Sequence, residues 1–233
     1  MTYKEIIRSE NHTHFLYKGQ KVFDRTFLNA LKFHVEGFAP VQDASGWFHI
    51  DMKGNDLYTQ RYDRTFGFYF KKAAVIEQGN WFHIDGKGNR IYTQSYAWCG
   101  NFQQNICTVR NHEKQYFHIN TKGVPLYQEK YTYAGDFRDG YACVRLANGH
   151  YKHINKLGQA LNQKLFDDLG VFHKSIATAK DKDGWFHINK QGDALYLERY
   201  FEIEPFYNGF ALVENFEHQK LIIDEKGSLI LAL

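Results

Sequence analysis

The sequence predicts an all-β fold of seven tandem repeats, each with three to four strands and about 35 residues, most simply arranged as a closed β-propeller. Two motifs recur at that interval, and aromatic residues make up 17% of the chain, which favours strands over helices. A single repeat of this size cannot bury its apolar faces alone, so neighbouring repeats must stack. The expected boundaries are approximately 1–27, 28–62, 63–96, 97–131, 132–166, 167–200 and 201–233.

The first motif is an apolar strand that leads into a glycine turn. Its copies are HTHFL (12–16), WFHID (47–51 and 81–85), YFHIN (116–120), YKHIN (151–155), WFHIN (185–189) and KLIID (220–224). A glycine follows each copy at one offset: Gly19, Gly54, Gly88, Gly123, Gly158, Gly192 and Gly227. Glycine adopts the left-handed backbone of a tight hairpin without steric cost, and an Asp or Asn before the turn can bond its backbone.

The second motif precedes each hairpin and is apolar on both faces. Its copies are GFAPV (37–41), KAAV (72–75), NICTV (105–109), GYACV (140–144), SIATA (175–179) and GFALV (209–213). A strand without a polar face is buried on both sides. Because small residues recur at its centre, we expect this strand to be the innermost of each repeat, with the histidine strand in the middle.

A third motif follows the glycine turn. An aromatic residue stands eight positions after the glycine, at Phe27, Tyr62, Tyr96, Tyr131, Phe166 and Tyr200. A phenylalanine comes six positions later, at Phe68, Phe102, Phe137, Phe172 and Phe206. Each repeat is therefore predicted to continue with a third strand after the turn and an aromatic-flanked connection.

With these motifs the chain resembles the WG-repeat family of bacterial proteins, also known through KWG repeats. The resemblance rests on segments such as WFHIDMKGNDLYTQRYDRTFGF (47–68) and KYTYAGDFRDGYACV (130–144) and extends over nearly the whole chain. The sequence departs from the family pattern in having Phe or Lys, then His, after the leading aromatic. The resemblance implies a repeat fold and a binding class of protein far more than a mechanism.

The last residues favour a closed ring. The segment SLILAL (228–233) is apolar, and an open stack would leave it as an unprotected edge. Closure, with the last repeat pairing across to the first, would remove that edge. The alternative is an open β-solenoid.

One histidine stands at the same place in six repeats: His14, His49, His83, His118, His153 and His187. Ile222 takes this place in the seventh repeat, which favours packing over chemistry. We expect the histidines to be buried, neutral and bonded to a neighbouring backbone or carboxylate. The alternative is a metal site formed by His49, His83, His118, His153 and His187, which would require ligands from different repeats to converge on one ion.

Composition and charge point away from several classes of protein. The formal net charge is +3 without a run of Lys and Arg, so neither nucleic acid nor a membrane is an expected partner. Cys99, Cys107 and Cys143 form no paired motif, which favours buried thiols in a reducing cytoplasm. We found no phosphate-binding loop, nucleophile elbow or zinc-protease motif, so no cofactor and no enzymatic activity are expected.

Positions that differ between otherwise equal repeats are the candidates for binding. They fall in the connections and include Arg64, Trp98, Tyr133, His173 and Tyr207. Aromatic and arginine side chains are common anchors of protein interfaces. The sequence therefore predicts a non-catalytic module or scaffold for a protein partner. Two alternatives are a lectin-like or nucleotide-binding module that uses the rim aromatics, and an enzyme with a channel or rim site.

Overall fold

The computed structural model describes all residues from 1 to 233 and contains no helix. Its strands form seven separate antiparallel sheets, which confirms the predicted all-β, seven-repeat class. The first four sheets contain β1 (Ile6–Arg8), β2 (Phe15–Tyr17) and β3 (Gln20–Lys21); β4 (Asn29–Ala30), β5 (Ala39–Asp43) and β6 (Gly46–Ile50); β7 (Arg64–Tyr69), β8 (Lys72–Glu77) and β9 (Asn80–Ile84); and β10 (Trp98–Cys99), β11 (Ile106–Arg110) and β12 (Tyr116–Asn120).

The remaining three sheets follow the same order along the chain. They contain β13 (Tyr133–Ala134), β14 (Tyr141–Arg145) and β15 (Tyr151–Asn155); β16 (Asp168–Leu169), β17 (Ala177–Asp181) and β18 (Gly184–Ile188); and β19 (Glu202–Ile203), β20 (Phe210–Glu214), β21 (Lys220–Asp224) and β22 (Leu229–Ala232). The chain divides into two compact units, one formed by residues 1–114 and 118–125, the other by residues 115–117 and 126–233. No helix is long and apolar enough to cross a membrane.

The order of strands within a sheet differs from the expected one. In the second sheet the small-residue strand β5 lies in the middle and pairs with β4 on one side and β6 on the other. The histidine strand β6 is third, with His49 opposite Pro40. A strand with hydrogen-bonded neighbours on both edges and packed layers on both faces is as apolar as an innermost one. The apolar pattern of the sequence therefore identified a buried strand but not its place in the strand order of the sheet.

The expected strand after the glycine turn is reduced to isolated bridges in most repeats. In the second repeat Ile50 pairs with Asp56, and Trp47 pairs with Tyr62, but no continuous strand joins these two points. The seventh repeat differs, because β22 forms a full fourth strand against β21. β22 belongs to the seventh sheet, and the first sheet consists of β1, β2 and β3.

The turn glycines are required by conformation and by packing. Gly88 has a φ of +78°, and a Cβ at this position would lie 2.5 Å from Cγ of Tyr58 in the preceding repeat. Tyr62 also reaches this turn, where its hydroxyl donates to the Gly88 carbonyl at 3.1 Å. The predicted Asx turns are present as well: Asp51 Oδ1 accepts from the backbone N–H groups of Lys53 and Asn55. Consecutive repeats are therefore joined through the turn that closes each hairpin.

The three cysteines are buried, and no disulfide joins them. Burial raises the pKa of the Cys99 and Cys143 thiols to about 12. Both therefore remain protonated near neutral pH and serve as small apolar residues of the core.

Candidate binding sites

The histidines of the second, third and sixth repeats are held by two hydrogen bonds each. His49 is fully buried on β6, where Nε2 lies 2.7 Å from the Phe66 carbonyl oxygen and Nδ1 contacts the Tyr58 hydroxyl. Because a carbonyl can only accept, Nε2 carries the proton and Nδ1 accepts from the tyrosine. His83 repeats this arrangement with the Gly100 carbonyl at 2.9 Å and the Tyr92 hydroxyl at 2.5 Å.

The same arrangement occurs in the second compact unit. His187 Nε2 donates to the Glu204 carbonyl at 2.9 Å, and its Nδ1 accepts from the Tyr196 hydroxyl at 2.5 Å. Burial lowers the pKa of His49, His83, His153 and His187 to about 4, so all four are neutral at physiological pH. These side chains stabilise the packing between repeats.

The metal alternative requires ligands that converge. No group of three His, Cys, Asp or Glu side chains in the chain is arranged to hold an ion. Both ring nitrogens of His49, His83 and His187 already have partners within their own repeat or the connection that follows it. The geometry of these histidines therefore supports packing rather than coordination.

Three repeats depart from the histidine–tyrosine pairing. In the first repeat Phe23 stands in the place of the tyrosine, and His14 is only half-buried and contacts the Thr13 hydroxyl at 3.1 Å, so the expectation of a buried histidine is wrong here. In the fifth repeat Asn162 stands where the tyrosine occurs elsewhere, and the buried Nδ1 of His153 has no hydrogen-bond partner. In the seventh repeat both members are apolar, and Ile222 on β21 lies opposite Leu231 on β22. The chain therefore contains its own variants of this pair.

Three of the sequence-predicted binding residues occupy one equivalent position, the start of the first strand in successive sheets. Arg64 begins β7, and its guanidinium lies 3.9 Å from the ring centroid of Trp47. Trp98 begins β10 and pairs with Arg110. Tyr133 begins β13, is 46% exposed and lies 6.0 Å from the Tyr116 ring. Arg64 and Tyr133 thus pack against the leading aromatic residue of the preceding histidine motif, Trp47 or Tyr116.

The other two predicted residues, His173 and Tyr207, are brought together in the second compact unit. Their ring centroids are 5.8 Å apart, and Tyr207 is 64% exposed. Each residue opens a two-residue hairpin. Asn208 and Gly209 have φ values of 52° and 84°, which is typical of a type I′ turn. Tyr207 and Phe210 exchange both backbone hydrogen bonds across this turn, at 2.8 and 3.1 Å.

A second candidate site, absent from the sequence prediction, is a cavity of about 1020 Å³ in the first compact unit, which we call the inner cavity. It is formed by the N-terminal segment with β1, the chain after β4, part of β7 and the chain after β10. Its polar and titratable lining residues are Tyr3, Lys4, Arg8, Lys32, His34, Tyr69 and Asn101. No Asp or Glu lines it.

The cations of the inner cavity lack carboxylate partners. Lys4, Arg8 and Lys32 take part in none of the ion pairs of the chain. Arg8 donates only a long hydrogen bond, of 3.4 Å, to the Ala30 carbonyl. By contrast, Arg25 and Arg61 in the same unit both bind Asp56, at 2.5 and 2.6 Å. The lining of the inner cavity therefore carries three cations and no carboxylate, and the nearest carboxylate that acts on it is Glu36, beside His34.

His34 lies between two neighbours in the wall of this cavity. Its ring centroid is 5.0 Å from that of Tyr69, and a Cβ on Gly67 would lie 2.1 Å from His34 Nε2. Only glycine leaves room for the imidazole here. Burial, with a smaller contribution from Lys32, lowers the pKa of His34 despite the opposing effect of the Glu36 carboxylate. Its ring is thus neutral at physiological pH, and the two nitrogens can each form one hydrogen bond with a ligand.

One sequence signal could have pointed to this cavity. Phe33 follows Phe27 by six positions, as the corresponding phenylalanines do in later repeats, and it is buried like Phe68, Phe102, Phe172 and Phe206. Lys32 and His34 flank it, so they hold the same places in their repeat as Val171 and His173 in the sixth. Lys4 and Arg8 had no such signal, because only the pairing of β1 with β2 brings the N-terminal segment into the unit.

Comparison with solved structures supports a propeller fold. The chain is similar to a crystal structure of a eukaryotic initiation factor, with a TM-score of 0.59 and 13% identity over 98% of this chain and 72% of that chain. It is also similar to BamB from Moraxella catarrhalis, with a TM-score of 0.52 and 13% identity over 98% and 87% of the two chains. The computationally designed Ika8 protein gives a TM-score of 0.53 and 15% identity over 98% and 83%. At such low identity these likenesses establish the β-propeller fold alone.

Comparison at the sequence level gives a narrower result. No curated protein matches the chain significantly. The family model described as the WG containing repeat matches residues 118–149, from the histidine strand of the fourth repeat to the hairpin of the fifth. This match confirms that the chain resembles the WG-repeat proteins.

Proposed function

We propose that this chain is a non-catalytic binding module that engages a protein partner through the hairpin tips of its second compact unit. The polar groups that recur in the repeats support this proposal, because they stabilise the packing between repeats. His187 bonds Tyr196 and the Glu204 carbonyl, and the turn glycines pack against the preceding repeat. Such groups leave the variable hairpin tips as the surface on which a partner can be recognised.

The observation that carries the proposal is the pair of neighbouring tips formed by His173 with Lys174 and by Tyr207 with Phe210, which we call the hairpin surface. Tyr207 and Phe210 are 64% and 48% exposed, although both are large and aromatic. Their backbone is fixed by the hydrogen bonds of the type I′ turn, so little conformational entropy remains to be lost on binding. Rigid exposed aromatics next to a cation are typical anchors of protein interfaces.

The proposal is tested by comparing partners captured by the wild type and by surface variants. Tyr207→Ala and Phe210→Ala should each lose the bound partner, whereas Leu197→Ala should retain it. Leu197 is 92% exposed and apolar but lies outside the hairpin surface, so it controls for nonspecific hydrophobic contact. A protein identified in this way is then purified, and its affinity for all four chains is measured by calorimetry. We expect a loss of at least ~2 kcal/mol for an anchor residue.

Two results would count against the proposal. The first is a purified partner that binds Tyr207→Ala and Phe210→Ala as tightly as the wild type. The second is a simple sugar that stabilises the wild type in thermal denaturation but not Tyr133→Ala, which would favour the lectin-like alternative. Circular dichroism of each variant confirms that the fold is retained.

A further inference from the structure

We propose that the inner cavity of the first compact unit binds a small molecule that carries a phosphate group. This site is separate from the hairpin surface and belongs to the other compact unit, so neither proposal depends on the other.

The charge of the cavity is the first argument. Lys4, Arg8 and Lys32 line one space without a carboxylate among the lining residues, and none of the three forms an ion pair. Arg25 and Arg61 in the same unit, by contrast, both bind a carboxylate. A phosphate carries nearly two negative charges at pH 7 and three acceptor oxygens, which suits several cations better than a single carboxylate does.

The donors of the cavity are the second argument. Arg8 offers a planar fork and the two lysines offer point charges, and these are the side chains that bind phosphate groups. Tyr69 and Asn101 add neutral donors to the lining. Phosphate oxygens only accept hydrogen bonds, so a lining rich in donors and free of anionic acceptors matches them.

The size and walls of the cavity are the third argument. A volume of about 1020 Å³ is at the upper end for small-molecule sites and far larger than a phosphate ion. Ile7, Val35 and Phe66 supply apolar wall, and the His34 and Tyr69 rings lie 5.0 Å apart beside it. The ligand must therefore have an apolar or aromatic part besides its phosphate, and a nucleotide is the simplest molecule with both.

The experiment is a calorimetric titration at constant ionic strength with five probes: inorganic phosphate, pyrophosphate, adenosine, adenosine monophosphate and citrate. The expected order of affinity is adenosine monophosphate first, with phosphate and pyrophosphate weaker and adenosine weakest. Arg8→Ala and Lys32→Ala should weaken the tightest probe by roughly tenfold each, because each removes a charge-assisted contact. Lys21→Ala, which removes an exposed lysine of β3 outside the cavity, should leave the affinity within about twofold.

The possible outcomes separate clearly. Binding of phosphate and adenosine monophosphate that Arg8→Ala and Lys32→Ala weaken supports the proposal, and their ratio reports how much the organic part contributes. Binding of citrate but not of phosphate overturns the assignment of the ligand class. No saturable binding, or equal weakening by Lys21→Ala, overturns the site. Because all three side chains are at least partly exposed, the variants are expected to fold, and their melting temperatures verify this.

Discussion

The second and fifth repeats solve the same packing problem with different residues. In the second repeat Tyr58 bonds buried His49, and its ring lies directly beneath Gly88 of the next repeat. In the fifth repeat Asn162 replaces this tyrosine, so His153 Nδ1 lacks a partner, and the atoms nearest to a Cβ on Gly192 belong to the Asn162 and Lys164 side chains. Both histidines nevertheless keep a strong hydrogen bond from Nε2 to a carbonyl, at 2.7 and 2.8 Å.

The comparison separates two contributions to each histidine. Burial lowers the pKa of both His49 and His153 to about 4, although only His49 has a tyrosine partner. The neutral state is therefore set mainly by burial, whereas the tyrosine satisfies a polar atom and fills space beneath a glycine. The first contribution can be tested with acid and the second with substitutions.

The largest expected effect is acid destabilisation. The pKa of each of these histidines is about 4 in the folded chain and 6.5 in the unfolded chain. Between pH 4 and pH 6.5 the histidine therefore takes up a proton when the protein unfolds. The free energy of unfolding should therefore be constant above pH 7 and fall from about pH 6.5 towards pH 4. At pH 5 the loss is about 2 kcal/mol for each such histidine. Urea denaturation at a series of pH values measures it.

A control variant isolates one histidine from the rest. The double variant His49→Ile with Tyr58→Leu copies the apolar pair Ile222 and Leu231. Its unfolding should take up about one proton fewer than that of the wild type, so its free energy of unfolding should depend less steeply on pH. Aspartates with lowered pKa values, such as Asp51 and Asp85, contribute stability that the protein loses only at lower pH, so they do not obscure the change caused by the histidines. A free energy of unfolding that stays constant from pH 7 to pH 5 would show that burial does not suppress the charge.

The next largest effect concerns the turn glycines of the two repeats. Gly88 and Gly192 share a φ of +78°, so an alanine suffers the same backbone strain at either position. At Gly88 the new Cβ would lie 2.5 Å from a buried tyrosine ring, whereas at Gly192 it would lie 2.9 Å from the Asn162 amide nitrogen, which can move. Gly88→Ala should cost about 3 kcal/mol in unfolding free energy and Gly192→Ala about 1 kcal/mol.

Gly79→Ala is the matched control for strain alone. Its φ is +75°, and nothing lies within 4 Å of a Cβ at this position. It should resemble Gly192→Ala in chemical denaturation. Equal losses for Gly79→Ala and Gly88→Ala would mean that the ring of Tyr58 contributes nothing to the choice of glycine.

A smaller effect should follow when the second repeat is made to resemble the fifth. Tyr58→Phe keeps the ring beneath Gly88 but removes the hydroxyl, which leaves His49 Nδ1 buried without a partner, as His153 is. We expect a loss of about 1–2 kcal/mol in unfolding free energy. The exposed Tyr207→Phe serves as the control and should be neutral. An unchanged stability for Tyr58→Phe would assign the tyrosine to packing alone.

These residues also show how far the sequence could lead. The repeat number and the turns were predictable, because glycine spacing and Asx residues act within a few positions of the chain. The tyrosine partners of His49, His83 and His187 were also present as a pattern, since Tyr58, Tyr92 and Tyr196 stand nine positions after these histidines. The inner cavity was not predictable, because Lys4, Arg8 and Lys32 come together through strand pairing rather than through spacing.

The smallest expected effect is a gain in the fifth repeat. Asn162→Tyr restores the residue found in the second, third, fourth and sixth repeats and offers a hydroxyl to the unpaired Nδ1 of His153. The substitution gives up the weak bond of 3.3 Å from Asn162 to the Lys190 carbonyl, so the net gain should be about 1 kcal/mol. The gain should vanish in Asn162→Phe, which adds the ring without the hydroxyl. If both variants stabilise the protein equally, the fifth repeat lacks packing volume rather than a hydrogen bond.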